Sequence, residues 1–90
     1  MEYVKRWNIE VSVVEEGRET HAEARLYTTE AQPPLIGAGR ARCNVSDDNV
    51  PQIGDELAVA RALADLSRQL ARITATDIES MTREPAFVRV

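Results

Sequence analysis

The chain has 90 residues, 43% of them hydrophobic and 29% charged, with a formal net charge of −4. These values describe one domain with a modest core, too apolar to stay disordered and too polar to cross a bilayer. One cysteine and one histidine exclude an internal disulfide and a Cys/His zinc centre, and the acidic balance weighs against nucleic acid as a partner.

Met1 to Arg6 lacks the apolar stretch of a secretory signal, so a cytoplasmic location is expected and no membrane attachment. Trp7, Ile9, Val11 and Val13 then alternate with Asn8, Glu10 and Ser12, the period of a half-buried strand. Glu15-Glu16-Gly17-Arg18 reads as a tight turn. Beyond it, Ala22, Ala24 and Leu26 share one face and His21, Glu23, Arg25 and Tyr27 the other. A hairpin centred on Glu16-Gly17 sets Trp7 against Leu26, Ile9 against Ala24 and Val11 against Ala22. Thr29 to Pro34 is a loop. A third strand follows from Leu35 to Cys43, with Gly37, Gly39, Ala41 and Cys43 inward and Ile36, Ala38, Arg40 and Arg42 outward. Glycines inside a strand mark a place where another backbone comes close. Here that backbone is expected to be a helix.

Asn44 to Gln52 is a polar connection, and a helix is predicted from about Ile53, with Asp55 and Glu56 in its first turn where the helix dipole favours acids. Ile53, Leu57, Ala60, Leu63, Leu66, Leu70 and Ile73 form the expected buried stripe, and Arg61, Asp65, Arg68 and Arg72 the wet one. Arg61 and Asp65 stand four apart and can pair. At Thr74 to Thr76 two readings compete: a continuous helix, or a second short helix opened by the capping box Thr76/Glu79. The tail Glu84 to Val90 holds Phe87, Val88 and Val90, which need cover from this chain or another.

Each candidate site has a plainer reading beside it. Gly37-Ala38-Gly39 lies inside a strand and has Arg42 where the dinucleotide fingerprint needs a small residue; packing explains it better. Asp47, Asp48, Asp55 and Glu56 lack calcium-loop spacing and suit turn and capping roles. His21, expected across from Ser12, has no third group to orient it, Cys43 is expected to be a small buried residue, and Trp7 a core anchor or an interface hot spot. No catalytic, cofactor or metal site results. The outer sheet face remains. If Tyr27 stands opposite Ile36, Glu23 meets Arg40 and His21 neighbours Arg42, giving a solvated ladder of charge pairs. Alternatively Arg25, Tyr27, Ile36, Arg40 and Arg42 form a partner surface for an acidic protein patch or RNA phosphates.

Trp7, Gly37, Gly39, Ala41, Arg42, Asn44, Asp47 and the run Val50-Pro51 through Ile53-Gly54-Asp55-Glu56-Leu57 carry a resemblance, continued by Ala60 to Leu63, Asp65-Leu66 and Asp77 to Glu79. The chain resembles a family of small uncharacterised actinobacterial proteins whose fold is like the double-stranded-RNA-binding domain. The resemblance implies a three-stranded antiparallel sheet backed by a C-terminal helix, and an association with stress or dormancy through likeness to ribosome hibernation factors. It supplies no binding or catalytic residues. Many relatives have proline after the asparagine, where this chain has Val45. The N-terminal helix of the RNA-binding domain has no counterpart here, and Asp55 and Glu56 stand where its phosphate-facing lysines would be.

The expectation is therefore a single α+β domain over residues 1–90: a three-stranded antiparallel β-meander with a long C-terminal helix across one face. The leading function is a small non-catalytic module that self-associates or binds a protein partner, in a stress or dormancy setting. The alternative is a ribosome- or RNA-binding regulator. A homodimer is expected, using the outer sheet face, an exposed strand edge or the tail.

Overall fold

The computed structural model describes residues 1–29, 32–44 and 47–90. Three strands, β1 (Asn8–Glu16), β2 (Glu19–Tyr27) and β3 (Leu35–Arg42), precede a helix, α1 (Pro51–Thr82). The strands form one antiparallel sheet in the order β1-β2-β3, with α1 across one face, so the α+β meander is as expected. Of the two expected loops, Glu30 and Ala31 in the first and Val45 and Ser46 in the second lie outside the described residues.

Both strand registers differ from expectation by two residues. The hairpin loop is Gly17-Arg18, between the pair Glu16 and Glu19, and Gly17 takes a φ of 60°, the conformation a two-residue turn with glycine first requires. Moving the centre of the turn by one residue moves every pair by two, so Ile9 faces Leu26, Val11 faces Ala24 and Val13 faces Ala22. A shift of two preserves which face each side chain occupies. On the other side Arg25 faces Ile36, His21 faces Arg40 and Glu23 faces Ala38, while Tyr27 faces Asn8 instead of Ile36.

Helix α1 runs unbroken for 32 residues. Pro51 opens it, in the first turn where a missing N–H is harmless. That start places Asp55 and Glu56 beyond the first turn, so the expected dipole role does not apply to them. The second short helix does not form. Thr74 and Thr82 stay helical by donating their hydroxyls back to the carbonyls of Leu70 (2.9 Å) and Ile78 (3.1 Å). Arg83 ends the helix in the left-handed conformation, its N–H donating to the Glu79 carbonyl. At about 1.5 Å per residue the helix is about 48 Å long, longer than strands of eight or nine residues, so it overhangs the sheet. The tail turns back along it: the Ala86 N–H donates to Glu79 (3.0 Å), and Phe87, Val88 and Val90 line a shallow cleft with Arg68, Ala71 and Ala75.

Close approach decides the packing. A Cβ on Gly37 would run into the backbone of Ala62 and Leu66, and one on Gly39 into that of Ala58 and Ala62. Gly54 likewise leaves room for the hydroxyl of the buried Thr20. The buried set among the described residues is accordingly small: Ala22, Ala24, Leu26, Ala41, Ala58, Ala62 and Leu66, with Leu35, Val59 and Leu70 packed at its margin. This corrects the expected helix stripe. Of its members only Leu66 is buried and Leu70 half-buried, whereas Ile53, Leu57, Ala60, Leu63 and Ile73 are exposed. Where helix and sheet backbones touch, Ala58, Ala62 and Leu66 meet a floor of glycine, so small residues on the strand set the contact face.

Candidate functional site

The expected partner surface exists as one face, and two of its three arginines are held in ion pairs. Arg25 pairs with Glu23 two places along its own strand (2.7 Å) and Arg40 with Glu19 (3.0 Å); the expected Glu23–Arg40 pair is replaced because the register moved. Arg42 stands opposite Glu19. Glu10, Glu16, Glu19 and Glu23 thus share this face with Arg25, Arg40 and Arg42, and carboxylates outnumber guanidiniums. Tyr27, Ile36 and Val14 are exposed among them. His21 lies between Val14 and Arg40, with Ser12 opposite Glu23 instead, and no group of three metal-ligating side chains occurs among the described residues.

A second corner gathers around Arg18. Its guanidinium donates to the carbonyls of Asn44 and Asp47 (both 2.7 Å) and contacts the Cys43 sulfur (3.1 Å). Cys43 lies just past the end of β3, half-buried, so it is neither a strand residue nor fully buried. These contacts tie Asn44 and Asp47, ahead of α1, to the β1–β2 turn.

The two edges of the sheet differ more than its two faces do. On β3 the outward backbone groups belong to Ile36, Ala38 and Arg40, and α1 bonds one group of each. Arg61 donates to the Arg40 carbonyl (2.7 Å), the Ala38 N–H donates to Asp65 (2.8 Å), and Gln69 donates to the Ile36 carbonyl (2.7 Å). The expected wet stripe is therefore in part a cap on a strand edge. Arg61 and Asp65 are spaced four apart to match the strand.

Strand β1 is exposed along its whole length. A helix is about 10 Å across and strands lie about 4.8 Å apart, so one helix covers about two of three strands. Here α1 lies over β3 and β2. Ile9, Val11 and Val13 point to the helix side of the sheet yet remain about 40–50% exposed, and Trp7, expected as a core anchor, is 52% exposed. Leu63, 40% exposed, and Val59 flank the strip from the helix. At one end, Trp7, Leu26, Pro33, Leu35, Leu70 and Ile73 line an apolar cleft of about 300 Å³, at the lower limit of ligand pockets. At the other end Glu15 stands beside Asp55, whose carboxyl raises the Glu15 pKa above the ordinary glutamate value, first as a hydrogen-bond acceptor for the protonated acid and then by its charge. The sequence carried a clue to this strip: the residues opposite the glycines are small, and a helix seated that close cannot also reach the outermost strand.

Comparison with known proteins fits this architecture. The sequence profile of the Rv2632c-like family matches residues 5–87. The chain belongs to the Rv2632c-like family. An uncharacterised Mycobacterium bovis protein, Mb1767, is 45% identical over 83 residues, covering 92% of this chain and 86% of its own. The uncharacterised protein Rv2632c of Mycobacterium tuberculosis is 46% identical over 81 residues, covering 90% of this chain and 85% of its own. A crystal structure of Rv2632c superposes with a TM-score of 0.82 at 44% identity, covering 93% of this chain and 98% of that one. These relatives share the fold, and none of their names states a function. No helix among the described residues is long and apolar enough to cross a membrane.

Proposed function

We propose that this chain is a non-catalytic cytoplasmic module that acts by binding protein, a second copy or another partner, through the apolar strip along β1. One observation carries the reading: most large apolar side chains lie outside the core. Among the described residues five alanines and two leucines make up the buried apolar set, while Trp7, Ile9, Val11 and Val13 stay half-exposed in a row along β1. Contiguous apolar surface of this kind marks an interaction site. The outer face, with its arginines held by Glu19 and Glu23, supports a solvated charge ladder more than a grip on RNA. A stress or dormancy setting accords with the resemblance to hibernation factors.

The test is affinity purification from stressed cells, with ribosome co-sedimentation alongside, for three chains: the wild type, Val11→Asp with Val13→Asp, and Arg25→Gln with Arg40→Gln and Arg42→Gln. The expected result is a defined partner, or a second copy, held by the wild type and the arginine variant and lost by the strip variant. Ribosome binding lost only in the arginine variant would move the function to the outer face and to RNA.

A further inference from the structure

We infer that the strip is built for a second copy of this chain, joined through an antiparallel pairing of β1 with its equivalent to make one continuous sheet. The inference rests on the protein-binding reading above and names its occupant.

Three observations point there. The first is the open ladder. Neighbouring residues of an antiparallel strand direct their backbone groups to alternate sides. In β3 the outward groups are those of Ile36, Ala38 and Arg40, and the helix bonds one of each residue. Carried across the sheet, the same alternation turns the N–H and C=O groups of Ile9, Val11 and Val13 outward from β1. Natural sheets guard such an edge with proline, lysine or a covering element; β1 has neither residue between Asn8 and Glu16.

The second is register. With Val11 opposite the partner's Val11, Ile9 meets the partner's Val13, so apolar residues meet only apolar ones at the centre. Residues directly opposite share a face, so both helices lie on one side and the two strips merge. With Val11 at the centre the partner's Glu15 falls opposite Trp7, at the end of the strip; shifting the centre to Ser12 would set it against Ile9 and lose an apolar pair.

The third is charge. Lys5 and Arg6 precede β1, and Glu15 and Glu16 end it. Antiparallel pairing about Val11 brings Arg6 opposite the partner's Glu16, and Lys5 diagonally near the partner's Glu15. Parallel pairing would stack like charges at each end. A domain with so small a core gains burial by pairing with itself.

Sedimentation equilibrium and light scattering should report about twice the 10.0 kDa chain mass at micromolar concentration. Val11→Pro should give a monomer with unchanged far-UV circular dichroism, because proline is tolerated on an edge whose N–H faces out and not within a ladder. In a Cys43→Ala background, Val11→Cys should oxidise to a cross-linked dimer, since facing Cα atoms about 5.5 Å apart are within disulfide reach; Ile36→Cys on the outer face should not. Arg6→Glu should weaken the dimer roughly tenfold, and adding Glu16→Arg should restore it, which keeps the test valid should Val11→Pro fail to fold. A monomer up to several hundred micromolar, a folded Val11→Pro dimer, or cross-linking at position 36 in place of 11 would overturn the inference. A monomer whose strip variant still loses a different protein would overturn this inference alone. A strip variant that loses nothing would overturn the broader reading too.

Discussion

Strand β3 closes the sheet with one outward backbone group on each of Ile36, Ala38 and Arg40 held by Gln69, Asp65 and Arg61, whereas β1 closes it with bare backbone and half-exposed Ile9, Val11 and Val13. Both strands end the same sheet, and both are rich in residues that suit a strand. The difference lies in the helix. Glycines at 37 and 39 draw α1 toward β3, and once there its polar side chains reach the β3 edge while its girth falls short of β1. A single packing choice therefore protects one edge and leaves the other open.

The largest expected effect comes from breaking the close approach. Gly39→Val places methyl groups against the backbone of Ala58 and Ala62, which cannot move aside as a side chain can; a thermal melt should show a loss of about 3 kcal/mol, the upper end for overpacking. Unchanged stability would mean that α1 can ride higher on the sheet. A paired truncation then measures the two sides of the helix. Leu66→Ala, in the core, should cost about 2–4 kcal/mol, and Leu63→Ala, on the open strip, less than about 1.5 kcal/mol, read by urea denaturation at concentrations too low for association. Similar losses at both positions would erase the contrast.

Asp65→Ala sharpens the edge comparison directly. It removes one capping hydrogen bond, worth about 1 kcal/mol, and should speed hydrogen exchange at the Ala38 amide while Ala24, paired inside the sheet, stays protected. The smallest effect concerns the open side. Glu15 stands beside the Asp55 carboxyl and has a raised pKa in the folded state. Its folded form therefore holds a proton more tightly than its unfolded form, so the stability it contributes is complete below the ordinary glutamate range and is lost as pH rises through the raised value. Glu15→Gln should remove that decline, leaving Tm flatter and slightly higher at neutral pH. A variant with the wild-type Tm–pH slope would show that the two carboxylates do not share a proton.

How much of this was legible in the residues differs by element. The alternation at Trp7 to Val13 and at His21 to Tyr27 marked the strands, and face assignment survived a two-residue error in register because side chains repeat every two. The register error itself came from locating the turn one residue early: Glu16-Gly17 and Gly17-Arg18 are both acceptable to local chemistry, and only pairing along the whole strand selects between them. Hydrophobicity also misjudged α1. Leucines at 57, 63, 66 and 70 are spaced like a core face, yet of these only Leu66 joins Ala58 and Ala62 in the contact, over a floor of glycine. The expected surface of Arg25, Tyr27, Ile36, Arg40 and Arg42 was placed on the right face, but its ion pairs depended on register and fell to Glu23 and Glu19.

By itself the sequence determined that three strands and a helix would form and that Gly37 and Gly39 would face the helix. Periodicity, turn chemistry and residue counts are local properties, and they are fully present in the chain. Only the tertiary structure decided which side of α1 meets the sheet, that Arg61, Asp65 and Gln69 seal β3, and that β1 is left uncovered. Those outcomes depend on the distance between two backbones and on the width of one helix against three strands, quantities that no stretch of residues carries alone.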